Sequence, residues 1–307
     1  MRLTSSNISS DETDHLSKFS SWLLSVGDGT TEYVSLQTDG EEANFIRIPD
    51  NLIIKNFENP IDSIINETYP DFKNKYYDHF YIKNRTIITP TNDVVDIINK
   101  KILELACEEE KTYYSSDSVC KTSSGGDELD TLYPIEFLNS LNFNGFPQHE
   151  LRLKKYIPIM LLRNINPSIG LCNGTRLIII ELGVKIIEAI ILTGSYCGTK
   201  VFIPRIVLTY HNNKWPFILK RRQFPIRICY CMTINKSQGQ TLECVGLYLH
   251  DHVFTHGQLY VALSRVTSYN GIKMLINKQD IEEYNNSMQH TKNIVYQEIF
   301  NDITVHC

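Results

Sequence analysis

Two stretches of this chain combine residue types that could do chemistry on a phosphate. The first is Met232-Thr233-Ile234-Asn235-Lys236-Ser237-Gln238-Gly239-Gln240-Thr241-Leu242, a polar, glycine-containing turn that follows an apparent strand. Backbone N–H groups in such a turn can meet an anion, and ligands collect at strand C-termini in α/β units. An ordinary strand-to-helix turn would have the same composition. The second stretch is His256-Gly257-Gln258-Leu259-Tyr260-Val261-Ala262-Leu263-Ser264-Arg265-Val266-Thr267-Ser268. Leu259, Ala262, Leu263 and Val266 recur at helical spacing as a buried stripe, which leaves Arg265 beside it near the helix C-terminus. An arginine there can cap the helix macrodipole, pair on the surface, or reach a phosphate as an arginine finger.

The elements that must position these residues read as α/β. Thr86 to Asn92 is a short buried strand ending in a polar turn, and Asp93 opens a helix whose Val94, Val95, Ile98 and Ile102 share a face. Leu16, Phe19, Trp22 and Leu23 form an earlier amphipathic stripe that stops at Val26-Gly27-Asp28-Gly29. Ser115 to Asp130, rich in serine, glycine and acids, is expected to be an exposed loop or linker. From Leu151 to about Ile228, short β-branched runs alternate with turns at Asn166-Pro167, Asn173-Gly174, Gly194 and Gly198, which predicts a small antiparallel barrel. Ile226 to Thr233 then alternates as one strand, and the α/β pattern resumes through Val245 to Leu249.

Charge marks the same division. The chain of 307 residues has a formal net charge of -5, but residues 1 to 150 contribute -14, residues 151 to 228 contribute +11 and residues 229 to 307 contribute -2. The basic middle, densest at Arg152, Lys154, Lys155, Arg163, Arg176, Lys220, Arg221, Arg222 and Arg227, suits a phosphate backbone or docks on the acidic N-terminal half. The composition, 42% hydrophobic and 21% charged, is that of a globular protein. No segment offers the roughly 20 apolar residues of a membrane span, and no secretory signal opens the sequence. The eight cysteines contain no C-x-x-C pair, so they read as reduced thiols without a zinc site. His250, His252 and His256 are close in sequence, but a metal site there is the disfavoured reading.

Taken together and in this order, the two phosphate-type stretches resemble motifs V and VI of superfamily 1 DNA helicases. Leu151-Arg152-Leu153-Lys154, Pro158 to Asn164, Leu171 to Leu177, Val201 to Ile206 and Arg221 to Arg227 are similar to petite-integration-frequency (Pif) helicases of superfamily 1B, in the Helitron-like branch. Trp22 to Gly29, Ile87 to Asn92 and Tyr133 to Ser140 match as well, so the resemblance covers nearly the whole chain. It implies the second RecA-like domain of a two-domain motor that uses ATP and Mg2+ to move 5′ to 3′ along single-stranded DNA. The second domain would occupy 1–130 and 225–307, interrupted at 131–224 by a basic Src-homology-3-like 2B barrel.

By resemblance, Arg265 is the arginine finger, Gln238 and Gly239 line the nucleotide edge, and Arg2 lies in a segment similar to one with a second phosphate-sensing arginine. Thr233, Asn235, Lys236 and Ser237 would couple the cleft to the DNA track. Thr89, Pro90, Thr91 and Asn92 would touch the DNA backbone, with Arg221 and Arg222 adding basic contacts. The family's cellular settings imply a nuclear protein engaged in DNA repair, recombination or telomere maintenance.

One departure from the family pattern bears on activity. G-x-x-x-x-G-K-[ST] is absent from the sequence, Gly194 to Lys200 having the wrong spacing, and Asp127-Glu128 lies in the polar linker rather than at a strand end. The chain alone is therefore expected not to hydrolyse ATP, and to depend on a first RecA-like domain carrying the P-loop. The resemblance starts just after that first domain, so Met1 is expected to be either an internal methionine of a longer protein or the start of a truncated copy. A non-catalytic single-stranded nucleic-acid-binding module, or a transposon-derived remnant, is the alternative reading.

Overall fold

The computed structural model describes residues 10–38, 41–55, 57–120, 133–211, 217–277 and 289–298. The chain divides into two packing units: Met1–Phe72 with Asn84–Lys100 and Cys231–Cys307, and Lys73–Lys83 with Lys101–Tyr230. The second unit begins well before residue 131, where the sequence places the start of the insertion, and it takes in the strands flanking Ser115.

The first unit is built on a four-stranded sheet in the order Cys231–Thr233, Arg85–Thr89, Cys244–Leu249, Ile272–Ile276, with every pairing parallel. Thr86, Ile87, Ile88 and Thr89 are all buried, as expected of a central strand covered on both faces. The helix Asn92–Leu105 follows it and buries Val94, Val95, Ile98 and Ile102, so the strand, turn and helix read from the sequence are present. Buried Asn99 on that helix donates to the Cys231 carbonyl at 2.9 Å and accepts the Cys231 N–H at 2.8 Å. It thereby satisfies both main-chain groups of a residue on the edge strand. The helix Pro60–Thr68 starts at Asn59, whose side chain accepts from Ile61 and Asp62, with proline at the first turn. It lies so close to the sheet that a Cβ on Gly246 would overlap the Thr68 hydroxyl and the Ile64 side chain. This is the α/β arrangement expected.

The second unit is mainly antiparallel. One sheet runs Lys200–Pro204, Ile186–Ile191, Arg176–Leu182, Pro158–Leu161, Ile226–Ile228; a second runs Ile206–Tyr210, Ile218–Gln223, Ser116–Cys120. Two expectations need correcting. Residues 116–120 form a strand rather than a loop, paired with Ile218–Gln223 and held by a buried side chain, Asp117. The alternating run from Ile226 to Thr233 is two strands: Ile226–Ile228 pairs antiparallel with the Pro158–Leu161 strand, and Cys231–Thr233 pairs parallel with Arg85–Thr89. The apolar run continues across the break, but the chain changes sheet between the two strands.

One internal tie of this unit is a buried ion pair. Arg221 stands opposite Asp117 across the strands, both side chains have 0% exposure, and Nη2 donates to Asp117 Oδ2 at 2.6 Å. Nε also donates to the carboxylate at 3.0 Å, while the remaining N–H groups go to the carbonyls of Leu138, Leu141 and Pro147 at 3.0 to 3.1 Å. All five donors are used. The helix Ile135–Ser140 and the loop after it are thus fastened to the sheet through main-chain carbonyls. Arg221→Met should cost about 3–5 kcal/mol in urea denaturation, because Asp117 is left buried and uncompensated. Adding Asp117→Leu should recover a large part of that loss.

Candidate nucleotide and nucleic-acid surfaces

The polar turn follows the edge strand Cys231–Thr233 directly. Thr233 is extended at φ -72° and ψ 153°, and one short helix, Ile234–Ser237, carries the chain away from the sheet. Ile234 and Ser237 are fully buried, with the Ser237 hydroxyl donating to the Ile234 carbonyl at 2.7 Å. These two anchor the turn, and Asn235, Lys236, Gln238 and Gly239 are left exposed around them. Gly239 has φ +80°, and the space where a Cβ would stand is open, so the glycine serves the left-handed backbone rather than a close approach.

Arg265 lies just past the helix Gln258–Leu263 and is half-buried. Its Nε donates to the Val261 carbonyl at 2.8 Å, and Nη2 donates to the Ser264 hydroxyl at 2.7 Å. Nη1 reaches across to the turn, donating to the carbonyls of Ser237 at 3.2 Å and Gln240 at 3.0 Å. In return the Arg265 carbonyl accepts the Leu242 N–H at 2.9 Å. The helix-cap reading is therefore realised, and the same guanidinium also braces the turn. Burial pulls its pKa below the ordinary value, but an arginine remains charged at neutral pH.

The other expected site residues fall into exposed and buried sets. Thr89 and Pro90 are buried, whereas Thr91 and Asn92 are half-buried at the strand end, with Thr91 reaching Asp251 Oδ2 at 3.5 Å. Thr233 is half-buried. Ser237 has 0% exposure, so its side chain shapes the turn from inside instead of presenting itself to DNA. Arg221 is likewise removed from the surface by its ion pair with Asp117, and of the Arg221-Arg222 pair only Arg222 is exposed. Arg2 lies outside the described residues. The three histidines of the 250–256 segment face different neighbours: His250 contacts Asn277 and Tyr248, His252 stands edge-on to Phe45, and His256 accepts the Tyr296 N–H.

One residue escaped the sequence reading. Gln258 is 2% exposed, and its Oε1 accepts the N–H groups of Phe254 and Thr255, closing the loop before the helix. Its Nε2 finds no acceptor among the described residues. A glutamine at the first turn of a short helix gave no sign of this, because the loop it closes is irregular. The buried Cys229 thiol and the half-buried Cys244 thiol have their pKa raised by desolvation, which makes both poor nucleophiles. No helix among the described residues is long and apolar enough to cross a membrane.

Comparison with known proteins gives a consistent set of likenesses. Residues 136–182, inside the antiparallel unit, match the family model for the 2B domain of DNA helicase Pif1. The chain is 34% identical over 131 residues to the human ATP-dependent DNA helicase PIF1, covering 41% of this chain and 19% of that protein. It is 32% identical over 187 residues to the Xenopus laevis ATP-dependent DNA helicase PIF1, covering 60% of this chain and 26% of that protein. A solved structure, Bacteroides Pif1 bound to ssDNA, is 21% identical with a TM-score of 0.48, over 72% of this chain and 44% of that chain. The chain therefore spans only 19% and 26% of the length of these two relatives.

The brace is open to direct measurement. Arg265→Ala releases two turn carbonyls and a cap, each of these charged hydrogen bonds being worth about 1.5–3 kcal/mol. Amides of residues 237–242 should exchange with solvent at least about tenfold faster, while those of the strand Cys244–Leu249 keep their protection.

Proposed function

We propose that this chain, which matches Pif1 helicases in sequence, supplies the second RecA-like domain and the 2B module of an ATP-dependent, 5′-to-3′ DNA helicase. The observation that supports this most is the brace between the two motif-like stretches: Arg265 ties the helix Gln258–Leu263 to the turn at Ser237 and Gln240. A residue that senses nucleotide and a turn that touches DNA are thereby joined through one side chain. Asn235 and Lys236 are the exposed members of the turn suited to the single strand, together with Thr91 and Asn92 at the neighbouring strand end. Gln238, Gly239 and Arg265 are the residues this chain would offer to ATP.

They make one edge of a nucleotide site. The sequence has no P-loop, so the phosphate cradle and the Mg2+ ligands would come from a first RecA-like domain. To serve as an arginine finger, Arg265 exchanges neutral carbonyl acceptors for an anionic one, and charge-assisted hydrogen bonds are the stronger kind. Its place of action in this proposal is the nucleus. The missing P-loop also favours a second reading, in which the chain is a non-catalytic single-stranded nucleic-acid-binding module or a helicase remnant.

In an enzyme completed by a P-loop domain, Arg265→Ala should lower kcat by about 10²–10³-fold while changing the Kd for single-stranded DNA by less than about twofold. Asn235→Ala with Lys236→Ala should do the reverse, weakening DNA binding first. Unaltered turnover in the Arg265 variant removes the finger assignment. Nucleotide-independent DNA binding with no turnover in the completed enzyme favours the second reading.

A further inference from the structure

The stretch Gly194 to Lys200, whose spacing is wrong for a P-loop, makes the turn between the strands Ile186–Ile191 and Lys200–Pro204. Gly194 and Gly198 stand at φ +84° and +88°, and the N–H groups of Cys197, Gly198 and Thr199 donate to the carbonyls of Gly194, Ile191 and Tyr196. The Tyr196 ring closes over Gly170, where a Cβ would overlap it. Cys197 is thus held in place while remaining exposed. Its thiol donates to the Leu192 carbonyl at 3.2 Å, and its sulfur accepts from Lys83 Nζ at 3.3 Å. Lys83 ends the helix His79–Lys83, its carbonyl accepts from buried Arg176 at 3.1 Å, and both sides of the contact belong to the second unit. The other described thiols lack one part of this arrangement. Cys229 and Cys231 are buried, Cys172 and Cys244 are half-buried, and exposed Cys107 has no amine at hydrogen-bond distance among the described residues.

We propose that Cys197 and Lys83 are a peroxide-responsive pair that closes into a covalent sulfur–oxygen–nitrogen link between Sγ and Nζ. Oxidant-sensitive thiols are accessible and lie beside a cation, which steadies the thiolate that attacks. In the first step the sulfur attacks one oxygen of hydrogen peroxide; the O–O bond breaks, the S–O bond forms, and the thiol becomes a sulfenic acid with release of one water. The lysine then gives its ammonium proton to solvent. In the second step the sulfenic O–H and one N–H break and an N–O bond forms, and the two protons and two electrons released reduce a second peroxide to two waters. One bridging atom suffices, because the two groups already stand at hydrogen-bond distance. Two equivalents of a dithiol reverse the change, each oxidised to its disulfide, returning the thiol, the amine and one water. Neither group belongs to the nucleotide or DNA surfaces proposed above, so the link stands or falls apart from them.

The test is peptide mapping by mass spectrometry of the reduced 307-residue chain after treatment with hydrogen peroxide. The expected product joins the peptides of Lys83 and Cys197 with a mass gain of one oxygen less two hydrogens, and dithiothreitol removes it. Cys197→Ser and Lys83→Arg should each abolish the joined species. In Lys83→Arg, which keeps the charge, Cys197 should run on to sulfinic acid, while Cys107 behaves alike in parent and variant. The linked chain should unfold at a higher urea midpoint than the reduced one, because the link joins residues 114 apart, and dithiothreitol should restore the original midpoint. A parent in which Cys197 reaches sulfinic acid with no joined peptide overturns the link. A joined species that persists in Lys83→Arg overturns it as well, since another amine is then the partner. Cys197 left as a thiol while Cys107 is oxidised overturns the pair altogether.

Discussion

A guanidinium taken out of water needs acceptors for its N–H groups, and meeting that need organises each unit of this protein. Arg221 spends all five donors on one carboxylate and three carbonyls. Arg265 spends its Nε, both bonds of Nη1 and one of Nη2 on the carbonyls of Val261, Ser237 and Gln240 and on the Ser264 hydroxyl. Arg176, fully buried, donates to the carbonyls of Ile82 and Lys83. Carbonyls at loop and helix ends are the acceptors that secondary structure leaves over, so each arginine fixes a segment with no ladder of its own. An unpaired buried charge would cost several kcal/mol, which makes these contacts obligatory once the arginine is inside.

This requirement also accounts for part of the basic middle of the chain. Arg152 goes to Glu110 and Arg221 to Asp117, both acids of the first 150 residues, so part of the surplus positive charge is matched within the fold. Lys154 is 9% exposed and donates to the Ala106 carbonyl at 2.7 Å. Most of the dense positions hold the unit together, whereas Lys220 and Arg222 stand on the outward side of the three-stranded sheet.

The parts of this arrangement legible in the sequence are those governed by local periodicity. The strand ending at Thr89 and the helix beginning at Asn92 are encoded by a β-branched run and by apolar residues three and four apart. The turn at Asn173-Gly174 was legible because only glycine sits easily at the φ of +86° found at Gly174. What local pattern cannot carry is the identity of a distant partner. Arg221 and Arg222 are neighbours in sequence, but on a strand they point to opposite faces, and the carboxylate that claims Arg221 is 104 residues away. The strand Ser116–Cys120 was hidden by its serines and aspartate, since its outer face is polar and the pattern of a loop is the same. At Arg265 the cap was readable from the helix, whereas acceptors 25 and 28 residues upstream were not.

In the proposed function this chain offers DNA-contact surfaces and one edge of a nucleotide site, and its sequence contains no P-loop. ATP hydrolysis by the purified 307-residue chain, with and without saturating single-stranded DNA, tests this most directly. The expected result is no DNA-stimulated turnover from a preparation that still binds the strand. DNA-stimulated turnover that Arg265→Ala abolishes would contradict it, and would mean that a phosphate site is assembled from residues outside the motifs described.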